Sequence, residues 1–62
     1  MLITEDFAKK VRRKRADLQL GKMELAKRLN VTAPTLAKVE KGNYDAPRRI
    51  YESVMNWLLE DL

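Results

Sequence analysis

The stretch Gly21–Gly42, GKMELAKRLNVTAPTLAKVEKG, restricts what this chain can fold into more than any other. Glycine stands at both ends and Asn30 interrupts the middle. Asn tolerates the left-handed backbone better than most residues with a side chain, so a sharp turn is predicted at Asn30. Before it, Leu25, Ala26 and Leu29 form an apolar patch at helical spacing, on a helix over about 22–29. After it, Thr32 can cap a helix over about 33–41, with Pro34 in the first turn, where a missing N–H costs little. Gly42 then terminates the pattern. Two helices this short need a partner to bury their apolar faces, and the rest of the chain must supply it.

Thr4 is placed to cap a first helix over about Glu5–Asp17, with Glu5 and Asp6 where the helix dipole favours negative charge. Phe7, Val11 and Leu18 share one face, with Ala8 at its edge. Lys14 falls inside that stripe, so its stem is expected along the core and its ammonium in water. Residues 9–15, KKVRRKR, hold six basic residues of seven, which reads as a solvated helix face or as a polyanion contact. Leu18 and Leu20 close the core beneath the connection to Gly21. Asn43–Pro47 reads as loop, and a last helix is expected over about 48–60. Ile50, Val54 and Trp57 turn one face of it to the core. Tyr51, Met55, Leu58, Leu59 and Leu62 widen the apolar arc to roughly half the circumference, against the roughly 100° that one core contact requires. Surplus apolar surface marks interaction sites, which points to a homodimer through this face, unless the small domain simply uses a wide core stripe. With no strand-like alternation and no repeat, the expectation is an all-α bundle of four to five helices in a single domain, 1–62.

A chain of 62 residues with no cysteine and no histidine has no disulfide, no usual zinc ligand set and no imidazole base. Its carboxylates are scattered and Ser53 is its only serine, so no catalytic constellation forms, and neither an enzyme nor a cofactor is expected. The net charge of +4 favours a polyanionic partner. No apolar run approaches the roughly 18 residues of a membrane span. The acidic start MLITEDF argues against export, leaving a cytoplasmic protein.

At 100° per residue, Leu36 and Val39 point to one side of the helix after Thr32, with Thr32 and Glu40 beside them. Pro34, Lys38 and Lys41 point to the other, flanked by Ala33 and Ala37. That outer face carries ammonium groups and small apolar groups, with nothing bulky to keep it off a grooved partner. A helix fits the major groove of B-DNA, where lysine donates to guanine O6 and N7 and small apolar groups meet the thymine methyl. A plain solvated helix face carries the same residue types.

Residues 7–48 resemble the Cro-like (Xre-like, lambda-repressor-like) helix-turn-helix domain of phage repressors and related bacterial regulators. The resemblance lies in Phe7, Val11 and Arg15, then Leu20, then Leu25-Ala26-Lys27-Arg28-Leu29, Val31-Thr32, Thr35-Leu36, and Val39-Glu40 followed by Gly42. It covers about two thirds of the chain and implies a helical bundle whose third helix enters the major groove. By position, Ala33, Pro34, Ala37 and Lys38 fall where the family reads base edges. Thr32 and Thr35 fall at the groove wall. Lys22 stands where relatives carry a phosphate-anchoring glutamine, and Lys41, Asn43 and Arg48 fall at further phosphates. Arg15 and Glu40 match an ion pair that ties the first helix to the reading helix. Many relatives carry Gln, Ser or Arg where this chain has Ala33 and Pro34, so specificity is expected to lean on methyl contacts, Lys38 and DNA shape.

The sequence thus predicts a transcriptional repressor of double-stranded DNA, dimeric on a near-palindromic operator. So little chain outside the DNA-binding unit leaves no room for a small-molecule effector domain. The alternative is a protein-interaction module of the same fold, an antirepressor or antitoxin-like partner, in which the last helix dominates. A membrane-surface role fits less well, because the most basic helix lacks a broad apolar face.

Overall fold

Local punctuation sets most element boundaries. The computed structural model describes residues 1–60, and Leu62 of the expected dimer surface lies outside them. Helix α1 spans Glu5–Asp17, and Thr4 Oγ1 accepts the Phe7 N–H at 3.1 Å to cap it. Helix α2 spans Lys22–Leu29 and stops where Asn30 takes the left-handed conformation, φ 58° and ψ 46°. The Asn30 and Val31 amides donate back to Lys27 O and Ala26 O at 3.1 and 2.9 Å, satisfying carbonyls that the helix end would otherwise orphan. Helix α3, Ala33–Lys41, starts from Thr32, whose Oγ1 accepts the Thr35 N–H at 3.3 Å. Helix α4 spans Arg48–Leu59, with Glu60 as its C-terminal cap.

The four helices of the described residues share one core. Ile3, Val11, Leu25, Leu29, Leu36, Val39 and Val54 are fully enclosed in it, with Ala8, Ala26, Ile50 and Trp57 beside them. Helix α3 packs on both α1 and α2, and α4 contacts the same two helices. No helix among the described residues is long and apolar enough to cross a membrane.

The fold is the small, mostly helical domain expected, with three differences in detail. First, a short ribbon joins the helices. A ribbon of two antiparallel strands, β1 (Leu2–Ile3) and β2 (Tyr44–Asp45), pairs Leu2 with Asp45 and Ile3 with Tyr44. Segments this short carry no readable alternation, and their pairing is fixed by partners far away in sequence. The Met1 ammonium binds Asp45 Oδ1 at 2.9 Å and Ala46 O at 2.6 Å, while the Ala46 amide donates to Met1 O at 2.8 Å. Ile3 is thereby driven into the core.

Second, Ala8 rather than Phe7 is the fully buried residue of the first turns of α1. The close approach of the Gly42 turn leaves room there only for a methyl group: a Cβ on Gly42 would sit 3.3 Å from Ala8 Cβ. Phe7 is half-buried and rests on the Tyr51 ring, with centroids 5.4 Å apart. Third, the Lys14 ammonium, at the edge of solvent, is also bound by the end of α4. It lies 4.8 Å from the Trp57 ring centroid, donates to Trp57 O, and reaches Glu60 O at 3.0 Å. A cation there binds the last carbonyls of α4, where the helix dipole favours positive charge.

Candidate nucleic-acid interface

Helix α3 is held by its inner side. Leu36 and Val39 are buried among α1 and α2, and Glu40 beside them is buried as a charge. A buried carboxylate needs a partner. Arg15 on α1 supplies it: Arg15 Nε donates to Glu40 Oε2 at 2.7 Å, and Arg15 Nη1 donates to Leu20 O at 3.2 Å. Arg12 also donates to the Glu40 carbonyl. The ion pair expected between the first and third helices is therefore present, and a second arginine reinforces it. Together these bonds fix the rotation and position of α3 against α1.

The outer side of α3 is free. Ala33, Pro34, Ala37, Lys38 and Lys41 are all exposed. Lys38 and Lys41 also belong to the last turn, where cations suit the dipole. At the other end of α3, Thr32 and Thr35 lie side by side, with Thr32 Oγ1 donating to Thr35 Oγ1 at 2.9 Å. That bond leaves the Thr35 hydroxyl proton for an outside acceptor. Lys22 is exposed at the first position of α2.

The remaining expected contacts are distributed unevenly. Lys38, Lys41 and Asn43 come together around one groove of about 250 Å³, which Gly42 and Tyr44 complete. Asn43 takes φ 55° and Gly42 φ 88°, so two successive left-handed residues fold the chain back along the end of α3. Arg48 is exposed but engaged: its Nε donates to Glu52 Oε1 at 2.8 Å, one turn along α4. That hydrogen bond, and then the Glu52 charge, raise the Arg48 pKa above its usual value. A phosphate at Arg48 would have to compete with this carboxylate. Its neighbour Arg49 donates to Asn30 O at 3.5 Å and lines a groove of about 270 Å³ with Thr32 and Thr35. Arg49 and Tyr44 are the two residues at this surface that sequence reasoning missed.

The apolar surface expected for dimerisation lies away from these groups. Tyr51, Met55 and Leu58 are half-buried, and Tyr51 and Leu58 pack partly on the core, which narrows the free arc. Leu59 is 74% exposed. Met55, Leu58 and Leu59 line, with Phe7, a groove of about 580 Å³ between α1 and α4, whose α1 side also carries charged residues such as Lys10, Arg13 and Asp17. Among the described residues, no cluster of three Asp or Glu is placed to hold a metal ion.

No protein-family model, no curated protein and no solved structure matches this chain.

Proposed function

We propose that this chain is a sequence-specific double-stranded DNA-binding protein, a Cro-like helix-turn-helix repressor that reads the major groove with α3. One observation carries the reading. Helix α3 is pinned from within by Leu36, Val39 and the Arg15–Glu40 pair, while its outer face offers only small apolar groups and lysines. A rigid helix with an unobstructed cationic face suits a groove walled by phosphates. In this reading Ala33, Pro34, Ala37 and Lys38 face base edges. Lys22, Thr32, Thr35, Lys41 and Asn43 meet phosphate or sugar, with Arg48 at the periphery.

The repressor would act as a dimer, and the size of the chain is compatible with one. Two reading helices must stand about 34 Å apart to enter successive major grooves on one side of the duplex. The longest dimension of the molecule is 26 Å, so the two α3 helices would lie on the outer parts of a dimer whose two-fold axis passes near another face. The Met55–Leu58–Leu59 groove is the apolar face available for that contact. Repression is then steric, by promoter occupancy, and is tuned by protein concentration. Lys22 and Lys41 give four charged phosphate contacts per dimer, and two more if phosphate displaces Glu52 from Arg48, so log K would fall with log salt at a slope of about −4 to −5.

The same groove favours the second reading, an interaction module of this fold whose α4 face binds another protein. Selection of bound fragments from a random duplex pool decides between them. A near-palindromic motif with half-sites about one turn apart supports the repressor. Recovery of no enriched motif refutes it and leaves the interaction module.

A further inference from the structure

The β1–β2 ribbon has no role in the reading so far, yet much of the chain is arranged to hold it. Gly42 and Asn43 take positive φ, the Gly42 amide donates to Lys38 O at 3.2 Å, and Tyr44 pairs with the fully buried Ile3. These ties bring the half-buried Tyr44 ring under the end of α3, where Lys38 Nζ stands 5.9 Å from the ring centroid. Among the described residues no carboxylate pairs with Lys38, which shares its groove with the exposed Lys41 and Asn43 as well as Gly42 and Tyr44.

A free lysine side chain samples many rotamers, and all but a few must be given up when its ammonium meets a base edge. A ring face attracts the ammonium without using any of its three N–H donors. A carboxylate partner would consume a donor and cancel the charge. We propose that Tyr44 is a positioning residue for Lys38: its ring holds the lysine along the end of α3 with all three donors open, and the ribbon exists to place that ring. The inference rests on the DNA-reading function of α3. It makes sequence discrimination, rather than general affinity for DNA, the property that depends on the ribbon. At an exposed site the ring's attraction amounts to about a two- to fivefold bias in population per protomer, so a dimer that reads two half-sites should lose about five- to thirtyfold in discrimination.

The test uses the full chain with Tyr44→Leu, Tyr44→Phe, Lys38→Met and the Tyr44→Leu/Lys38→Met double variant. Affinities are measured for the duplex recovered by selection and for a scrambled duplex. Tyr44→Leu should lower the ratio of the two by about five- to thirtyfold for the dimer and leave the salt slope unchanged, and Tyr44→Phe should restore the ratio. In the Lys38→Met background Tyr44→Leu should change nothing further, because the ring acts through the lysine. In the free protein, nuclear Overhauser contacts between the Lys38 methylenes and the Tyr44 ring should be present, and should persist in Tyr44→Phe with the Phe ring. The inference is overturned if those contacts are absent, if Tyr44→Leu leaves the ratio unchanged, or if it raises the ratio, which would mean that the ring parks the lysine away from DNA. A wild-type protein that binds both duplexes equally overturns the DNA-reading function itself, and the inference with it.

Discussion

Gly42→Ala should be among the most damaging methyl-sized changes this chain can suffer. Gly42 adopts φ 88° and ψ 177°, a region open in practice only to glycine. Forcing an alanine there costs about 1–3 kcal/mol in backbone strain. The added Cβ would also stand 2.8 Å from Glu5 Cα and 3.2 Å from Glu5 N. Both are backbone atoms in the first turn of α1, so no side chain can swing aside, and such overpacking costs about a further 1–3 kcal/mol. The sum is about 2–6 kcal/mol. A domain of 62 residues holds only about 3–9 kcal/mol in total. Urea unfolding should therefore show a midpoint lowered by about 2 M or more, or no folded baseline, taking a slope near 1 kcal/mol per M. Gly21→Ala is the control. Gly21 has φ −73° and nothing within 4 Å of an added Cβ, so its stability should stay within about 0.5 kcal/mol of wild type, lost capping preference offsetting reduced chain entropy. If Gly42→Ala unfolds within 0.5 kcal/mol of wild type, the close approach of the turn to α1 is wrong, and with it the placement of β2.

Other consequences follow from the pinning of α3 and the division between its two surfaces. Glu40→Ala strands the Arg15 guanidinium and should cost about 1–3 kcal/mol by thermal or urea unfolding, whereas Arg15→Met with Glu40→Leu should recover part of that loss; additive losses would show that the pair is not coupled. Lys22→Met should make the salt slope for the operator shallower by about 1.8, two phosphate contacts per dimer, with little change in sequence preference, and an unchanged slope removes Lys22 from the interface. Leu59→Asp changes a side chain that is 74% exposed, so the unfolding midpoint should hold while sedimentation shows loss of the dimer on operator DNA. A dimer that persists would move the two-fold contact to another face.

The parts of the fold legible in the sequence are those set by local chemistry. Asn30 signals a left-handed turn, and Thr32, Pro34 and Gly42 bracket α3 to the residue, because capping, a missing N–H and positive φ are properties of single residues in short windows. Arg15–Glu40 was legible through the family resemblance alone, since nothing local relates residues 25 positions apart. The ribbon was not legible. Two-residue strands have no period, and their pairing depends on Met1 meeting Ala46 across most of the chain. Lys14 was half legible: its stem follows the stripe as expected, but the carbonyls that receive its ammonium belong to the far end of α4. Arg48 and Arg49 differ by about 100° on one helix, and the sequence offers no means of deciding which turns towards Thr32 and Thr35. The structure gives Arg48 to Glu52 and leaves Arg49 beside those threonines. Tyr44 carried no signal, because a tyrosine in a loop has no assigned face until its backbone is paired.

In the proposed function the outer face of α3 meets DNA, and the response of alanine methyl signals in labelled protein on addition of the selected duplex reports that contact. The methyls of Ala33 and Ala37 are exposed on that face, and those of Ala8 and Ala26 are buried in the core. Large shifts at Ala33 and Ala37, with Ala8 and Ala26 nearly unmoved, are the expected result. Unmoved Ala33 and Ala37 signals, with shifts confined to α4 around Met55 and Leu59, would contradict the proposal.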